Sequence, residues 1–417
     1  MMNILMACSW GSRHTMSGNG SFFYDQAKLL ESRGFFVEML FADYSFGFRN
    51  DVLPDESKAM GSLNCHFIQA KSVVPFFPLL NLKFHGIQLM RKVKRLEIAA
   101  PDLIICQSMI ELSHLATLLK NHWSCPVVFV EHHSAFTSKG LYHLPVILPN
   151  RINQVKKSGI QVFAVSQFLK EELIQHRQLP GVQRVFNPVP SELENRAYKA
   201  PTDLGFRFVA IGRFDSNKRI DLIARAFCEF YAGGGKGELL LITGEEGREP
   251  LNAVIEANPE APIDLNFEYG KLGRERVFRE IEAAHVVISC SKFETFGMTI
   301  LESLSLGRPV LSSDSGGPRD LVNETNGVLM DIQSDADLAW GMKRIQANYS
   351  EFDYEAIKKT TIRRFCIENW IETIIELAGN ESARATFGKH GRSNVLKICS
   401  KELRFKQLRN LITAQIT

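Results

Sequence analysis

Twice along this chain, short apolar runs rich in valine, isoleucine and phenylalanine alternate with longer segments of helical period. No other feature restricts the possible folds as much. A short strand followed by a longer helix is the repeating unit of a parallel sheet, because parallel neighbours need a crossover long enough to return over one face. In the first half the strand candidates are 3–7, 36–41, 103–106, 127–130, 162–165 and 185–186. A helix is expected from Ser21 to Arg33, stopped by Gly34. In the second half the candidates are 206–211, 239–243, 264–269, 286–289, 310–312 and 327–329, and after Asp331 the pattern is helical throughout.

Between the two series, residues 189–203 are polar and non-periodic, with Pro188 just before and Pro190 and Pro201 inside. A chain of 417 residues is too long for one hydrophobic core, and this stretch is the natural place to divide it. The expectation is an α/β molecule with a first Rossmann-like domain over 1–190 and a second over 200–370. Closing helices over 371–417 are free to cross back towards the first domain.

With 49 basic and 46 acidic residues the net charge is only +3, so no charge excess points to nucleic acid as a partner. No apolar run reaches the length of a membrane span, and the opening MMNILMAC lacks a basic leader; a cytoplasmic protein is expected. The eight cysteines include no Cys-x-x-Cys pair, and Cys8, Cys106 and Cys290 sit within or beside strand-like runs, which reads as buried free thiols. One local exception to the even charge is 75–96, where aromatics adjoin Arg91, Lys92, Lys94 and Arg95. Such a segment either packs its apolar side on the first domain or touches an anionic membrane surface.

The chemistry concentrates at 291–322, SKFETFGMTILESLSLGRPVLSSDSGGPRDLV. Glu294 lies on a loop and Glu302 about one turn into a helix opening near Met298, so both carboxylates can border a ligand at the helix start. The amides from Phe296 to Thr299 attract phosphate oxygens, Gly297 lets the backbone approach closely, and carboxylates accept hydrogen bonds from sugar hydroxyls. Glu302 stands among Ile300, Leu301 and Leu304, and a carboxylate in apolar surroundings needs a partner. A second cluster, GRFDSNK, follows the first strand of the second half. Arg213 and Lys218 there would lie beyond the carboxyl end of a parallel strand, where ligands bind in such sheets. Two cations at that place can hold a diphosphate and neutralise it as a leaving group, a service otherwise given by a metal ion.

Competing chemistries fare worse. Asp335-Ala336-Asp337 has the spelling of a metal-binding pair but opens a helix, where acids favour the first turn. Neither Gly-x-Gly-x-x-Gly after the first strand nor a phosphate-binding Gly-x-x-x-x-Gly-Lys is present, and no Ser-His nucleophile arrangement stands out.

Taken together, the Glu-x7-Glu pattern at Glu294 and Glu302, the GRFDSNK loop and PVLSSDSGGPRDLV resemble family-four retaining glycosyltransferases of the GT-B fold. AVSQFLKEEL (164–173), NPV (187–189) and NGVLM (326–330) support the likeness. The resemblance implies a nucleotide-sugar donor linked to UDP or GDP, a glycan or lipid-linked acceptor, and no cofactor or metal. It implies that Glu302 binds the donor ribose, Glu294 the sugar hydroxyls, Arg213 and Lys218 the diphosphate, and the amides of Phe296, Gly297, Met298 and Thr299 the rest of the donor. Members usually carry a glycine-rich loop after the first strand and a histidine after a later one. Here these correspond to Gly18 and Gly20 in SGNGSFF and to His132, better spaced than His133, in VVFVEHHSAF. The alternatives to a transferase are a nucleotide-sugar epimerase of the same fold or a non-catalytic subunit that binds the nucleotide.

Overall fold

The computed structural model describes residues 2–9, 20–44, 54–71, 78–138, 147–201 and 205–378. Gly18, residues 75–77 of the basic-aromatic segment, 202–203 of the proline-containing stretch and the helices expected beyond Ala378 lie outside them.

The described residues form two sheets. The first contains β1 (Asn3–Cys8), β2 (Phe36–Tyr44), β3 (Glu56–Met60), β4 (Leu63–Ala70), β5 (Leu103–Gln107), β6 (Val127–Glu131), β7 (Gln161–Ala164) and β8 (Gln183–Arg184), in the spatial order β3-β4-β2-β1-β5-β6-β7-β8. The second contains β9 (Arg207–Ile211), β10 (Glu238–Ile242), β11 (Ile263–Asn266), β12 (Val286–Ser289), β13 (Val310–Ser313) and β14 (Gly327–Met330), in the order β11-β10-β9-β12-β13-β14. Every pairing is parallel except β3 with β4. Continuously apolar strands such as Leu103–Cys106 and Val127–Val130 are buried on both faces, as a sheet covered by helices on either side requires.

The helices are α1 (Ser21–Ser32), α2 (Pro78–Val93), α3 (Met109–Trp123), α4 (Ile147–Ser158), α5 (Gln167–Gln175), α6 (Ser191–Glu194), α7 (Ile220–Ala232), α8 (Arg248–Ala257), α9 (Arg274–Ala283), α10 (Met298–Ser305), α11 (Asp335–Ala347), α12 (Tyr354–Arg364) and α13 (Ile367–Ala378). α1 ends where the sequence places its stop, with Gly34 at φ 86°. α13 packs on α1 and β6 of the first sheet, its Trp370, Ile371 and Ile374 join that sheet's core, and Arg33 Nε meets Glu368 Oε1 at 2.5 Å. The same core takes in Phe296, Ile300, Leu301 and Leu304, so α10 belongs by sequence to the second half but packs into a shared interior.

The β3–β4 hairpin is absent from the periodicity reading. β3 is polar and alternately exposed. In β4 the polar His66 interrupts the apolar run, yet it is buried because Ser57 Oγ lies 2.8 Å from its Nδ1 and Glu38 lies 3.4 Å from its Nε2. The last strand of the first sheet sits two residues earlier than expected, although the Val185 amide still bonds the Ala164 carbonyl at 2.9 Å. In α2, His85, Leu89, Met90 and Val93 are buried while Lys83, Phe84 and Arg91, and Lys94 and Arg95 just after it, face solvent. Among the described residues no helix is long and apolar enough to cross a membrane. Cys8, Cys65, Cys106, Cys125, Cys228 and Cys290 are buried free thiols, and Cys366 is a partly exposed one.

Candidate functional site

In the second sheet β9 and β12 lie side by side, and the chain leaves them towards opposite edges, β9 to β10 and β12 to β13. Loops after two such strands diverge and leave a crevice beyond their carboxyl ends. One wall is Gly212–Arg219 after β9, the other Cys290–Gly297 after β12. Asn217 stitches them together: its Nδ2 donates to the Phe293 carbonyl (3.1 Å), its Oδ1 accepts from the Phe293 amide (3.0 Å), and its own carbonyl accepts from the Lys292 amide (2.8 Å). Asp215 Oδ1 shapes the turn by accepting the amides of Asn217 and Lys218. So tied, the loops bring Lys218 Nζ to 2.8 Å from Glu294 Oε2.

The loop after β13 holds Glu294 from the other side. The Glu294 amide donates to Ser315 and the Gly317 amide donates to the Glu294 carbonyl, at 3.0 and 2.8 Å. A Cβ on Gly317 would stand 2.5 Å from the Phe296 amide nitrogen, so only glycine lets the two loops approach this closely. A cavity of about 190 Å³ lies here, lined by Lys218, Tyr269, Ser291, Glu294, Met298 and Thr299 among others.

α10 starts on this cavity. Gly297 adopts φ 109°, a left-handed conformation that turns the chain into the helix, and no side chain caps the first turn. The Phe296 ring is buried among Phe186 and Phe365, so this residue can offer only its amide to a ligand. Burial favours a neutral Lys218, but Glu294, followed by Tyr269 and Asp215, outweighs it and raises the ammonium pKa. The crevice thus holds a fixed positive charge, a carboxylate and unpaired helix amides within one small space, a combination suited to an anionic, hydroxyl-bearing ligand.

Not every residue singled out from the sequence points into it. Arg213 leaves the same loop but is turned to solvent, 3.3 Å from Asp215, and does not line the cavity. Glu302 is engaged by Arg274, whose Nη2 lies 3.1 Å from Oε1; burial raises the Glu302 pKa and Arg274 opposes the rise. Asp335 and Asp337 are helix-start residues, with Asp337 forming a reciprocal cap with Ser334.

On the first sheet, Gly20 adopts φ 83° where the chain enters α1. His132 follows β6, buried against Phe22 and Phe23 of α1. Its Nε2 lies 2.7 Å from Gln107 Oε1, Gln107 Nε2 donates to Gln26 Oε1 (2.7 Å), Gln26 Nε2 donates to Asn187 Oδ1 (3.2 Å), and Asn187 Nδ2 reaches Met298 Sδ (3.6 Å). Each amide donates onward, so Nε2 of His132 carries the proton and Nδ1 is an acceptor. Burial, then His133, pushes the His132 pKa down to about 3. Next to it, burial pushes Glu131 up to about 8, against the three amides of Met109, His132 and His133 that it accepts. His133, the alternative histidine, caps a short turn by accepting the Ala135 amide.

Asn217, Gln26, Gln107 and Arg274 were not singled out from the sequence. Asn217 at least adjoins Lys218 in a turn-forming run. Arg274 carries no local signal, because its partners are remote in the chain.

Two family models match end to end: "Glycosyltransferase Family 4" over 16–193 and "Glycosyl transferases group 1" over 194–363. An uncharacterized glycosyltransferase of Methanocaldococcus jannaschii is 29% identical over 91 residues, 21% of this chain and 23% of that protein. The lipopolysaccharide 1,6-galactosyltransferase of Escherichia coli is 26% identical over 243 residues, 55% of this chain and 61% of the relative. The chain therefore matches less than two thirds of the length of either. Among solved structures, a lipopolysaccharide outer core galactosyltransferase in apo form superposes with TM-score 0.64 at 20% identity, covering 90% of this chain and 100% of the other. An Anabaena protein in complex with UDP-glucose gives 0.65 at 17%, covering 91% and 100%.

Proposed function

Because the chain belongs to the family-four glycosyltransferases of GT-B fold, we propose that it transfers a sugar, with retention, from a UDP- or GDP-linked donor to a glycan or lipid-linked acceptor. The Lys218–Glu294 pair at the uncapped start of α10 carries this reading. Lys218 and the amides of Phe296, Gly297, Met298 and Thr299 stabilise the diphosphate as its bond to the sugar breaks, without a metal ion or other cofactor. Arg213 turns from Asp215 to join them. Glu294 accepts hydrogen bonds from the transferred sugar, and Glu302 from the ribose. Neutral His132 presents Nδ1 to the reacting end of the donor, and the leaving phosphate takes the acceptor's proton. The acceptor sits on the first domain near Gly18, Gly20, α2 and His132. Closure of the two domains excludes water.

Relatives named for lipopolysaccharide and poly(glycerol-phosphate) glycosylation support a cell-surface glycan or glycolipid as the acceptor. The exposed Lys83, Phe84, Arg91, Lys94 and Arg95 of and after α2 support work at the cytoplasmic face of a membrane, testable by co-sedimentation with anionic vesicles.

The deciding experiment incubates the chain with UDP- and GDP-sugars, with and without glycan and lipid-linked acceptors and with and without a chelator. Nucleotide release that depends on acceptor and ignores chelator is expected. Donor turnover without acceptor would make it an epimerase or hydrolase, and binding without turnover a nucleotide-holding subunit.

A further inference from the structure

Arg274 is the first residue of α9, and its guanidinium joins elements from both halves of the chain. Nη1 lies 2.6 and 2.7 Å from the two oxygens of Asp25 on α1 and 3.8 Å from Glu192 of α6; Nη2 lies 3.1 Å from Glu302 Oε1 on α10. Asp25 is buried, and Arg274 and Glu302 are largely so. One cation therefore faces three carboxylates from three helices.

A guanidinium is planar and rigid, so fixing Nη1 on Asp25 also fixes where Nη2 points. Nη2 in turn fixes one oxygen of Glu302, and Glu302 Oε2 has no hydrogen bond among the described residues. Without the cation, a carboxyl in this environment is driven towards its neutral form, which donates one proton and loses acceptor capacity. The anchor itself is well placed. Gln26, the neighbour of Asp25, receives the Gln107 amide and donates to Asn187, so α1 is held in register with β5 and with the start of α10.

We propose that Arg274 is a positioning residue for nucleotide recognition: anchored on Asp25 of α1, it holds one oxygen of Glu302 so that the other is a correctly aimed acceptor for the ribose hydroxyls. This rests on the reading that Glu302 meets the donor ribose. It adds that the geometry of that contact is set by Arg274, which does not itself touch the ligand, through its anchor Asp25 in the first half of the chain.

The test is titration calorimetry of the full chain with UDP and GDP, then with the 2′-deoxy form of whichever binds. A hydrogen bond to a charged group makes the expected wild-type preference for the ribonucleotide about tenfold. Arg274→Gln should bring that preference close to one while leaving affinity for the deoxynucleotide unchanged, because Lys218 and the α10 amides still hold the diphosphate. Arg274→Lys should recover part of it. Should Arg274→Gln fail to fold, Asp25→Asn carries the test, with the preference falling to about threefold. Full discrimination in the folded Arg274→Gln variant, or in Asp25→Asn, overturns the role of Arg274. A wild type that binds a nucleotide but ignores the 2′-hydroxyl overturns it as well. A wild type that binds neither UDP nor GDP removes the nucleotide reading and this inference together, an outcome distinct from the others.

Discussion

Lys218 and Glu294 are paired before any ligand arrives, and the carboxylate keeps the Lys218 ammonium charged in a partly buried crevice. Removing either should lower sugar transfer by about a hundred- to a thousandfold, the usual range for a lost electrostatic contact in the transition state. The Lys218→Ala and Glu294→Ala variants should keep wild-type circular dichroism, since Asn217 ties the walls together independently of this pair. Full activity in both would sink the site assignment. His132 gives a prediction in pH. Its pKa is lower in the folded chain than the ordinary 6.5, so the unfolded chain binds the proton more tightly. The stability it contributes is present above pH 6.5 and lost as pH falls towards 3. Glu131, raised to about 8, acts oppositely, with stability present at low pH and lost as pH rises through 8. Comparing wild type with His132→Asn cancels Glu131 and isolates the histidine. The melting temperature of the variant should fall less between pH 6.5 and 5 than that of the wild type; parallel curves would show that His132 is not held neutral.

At the scale of elements, α10 and α13 matter most, because each belongs by sequence to one half and packs into the other's core. α10 carries Glu302 and offers its amides to the cavity, while its apolar face meets the shared interior. α13 lays Trp370, Ile371 and Ile374 on the first sheet, and the Val189 amide bonds the Phe365 carbonyl at 2.8 Å just before it. Truncating the buried Trp370 to alanine should cost about 3–5 kcal/mol, read as a lower denaturant midpoint. A cost near zero would mean that α13 does not clamp the first sheet. The β3–β4 hairpin shows where reading elements from periodicity stops. Its buried His66 is satisfied by Ser57 and Glu38, which come from other strands, so a window along the chain sees only a polar interruption.

For the whole molecule, α1 is one of the elements that link the two sheets. Asp25 reaches Glu302 through Arg274, and Gln26 reaches Met298 through Asn187. A nucleotide bound on the second sheet should therefore also protect the first. At about a hundred times its dissociation constant a ligand stabilises by roughly 2.7 kcal/mol, enough to slow hydrogen exchange about a hundredfold in amides that open together with the site. Mass spectrometry with UDP or GDP should show protection in α1 as well as in the loops after β9 and β12. Protection confined to those loops and α10 would show that the sheets are not coupled through α1.

What the sequence determined alone was whatever depends on near neighbours in the chain. Alternating strand and helix periods predicted two parallel sheets, and Gly34 marked where α1 stops. The spacings within GRFDSNK and the Glu-x7-Glu run placed Lys218, Glu294 and the α10 amides at strand ends where a ligand can bind. Only the tertiary structure decided which of these groups meet. Asn217 with Phe293, Gln26 with Asn187 and Arg274 with Asp25 are 76, 161 and 249 residues apart. Their hydrogen bonds depend on how the strands and helices are brought together in space, and a pattern along the chain holds no record of that. For the same reason Arg213 and Lys218, five residues apart on one loop, read alike in sequence and differ in the fold. The loop's turn aims one at Glu294 and leaves the other in water.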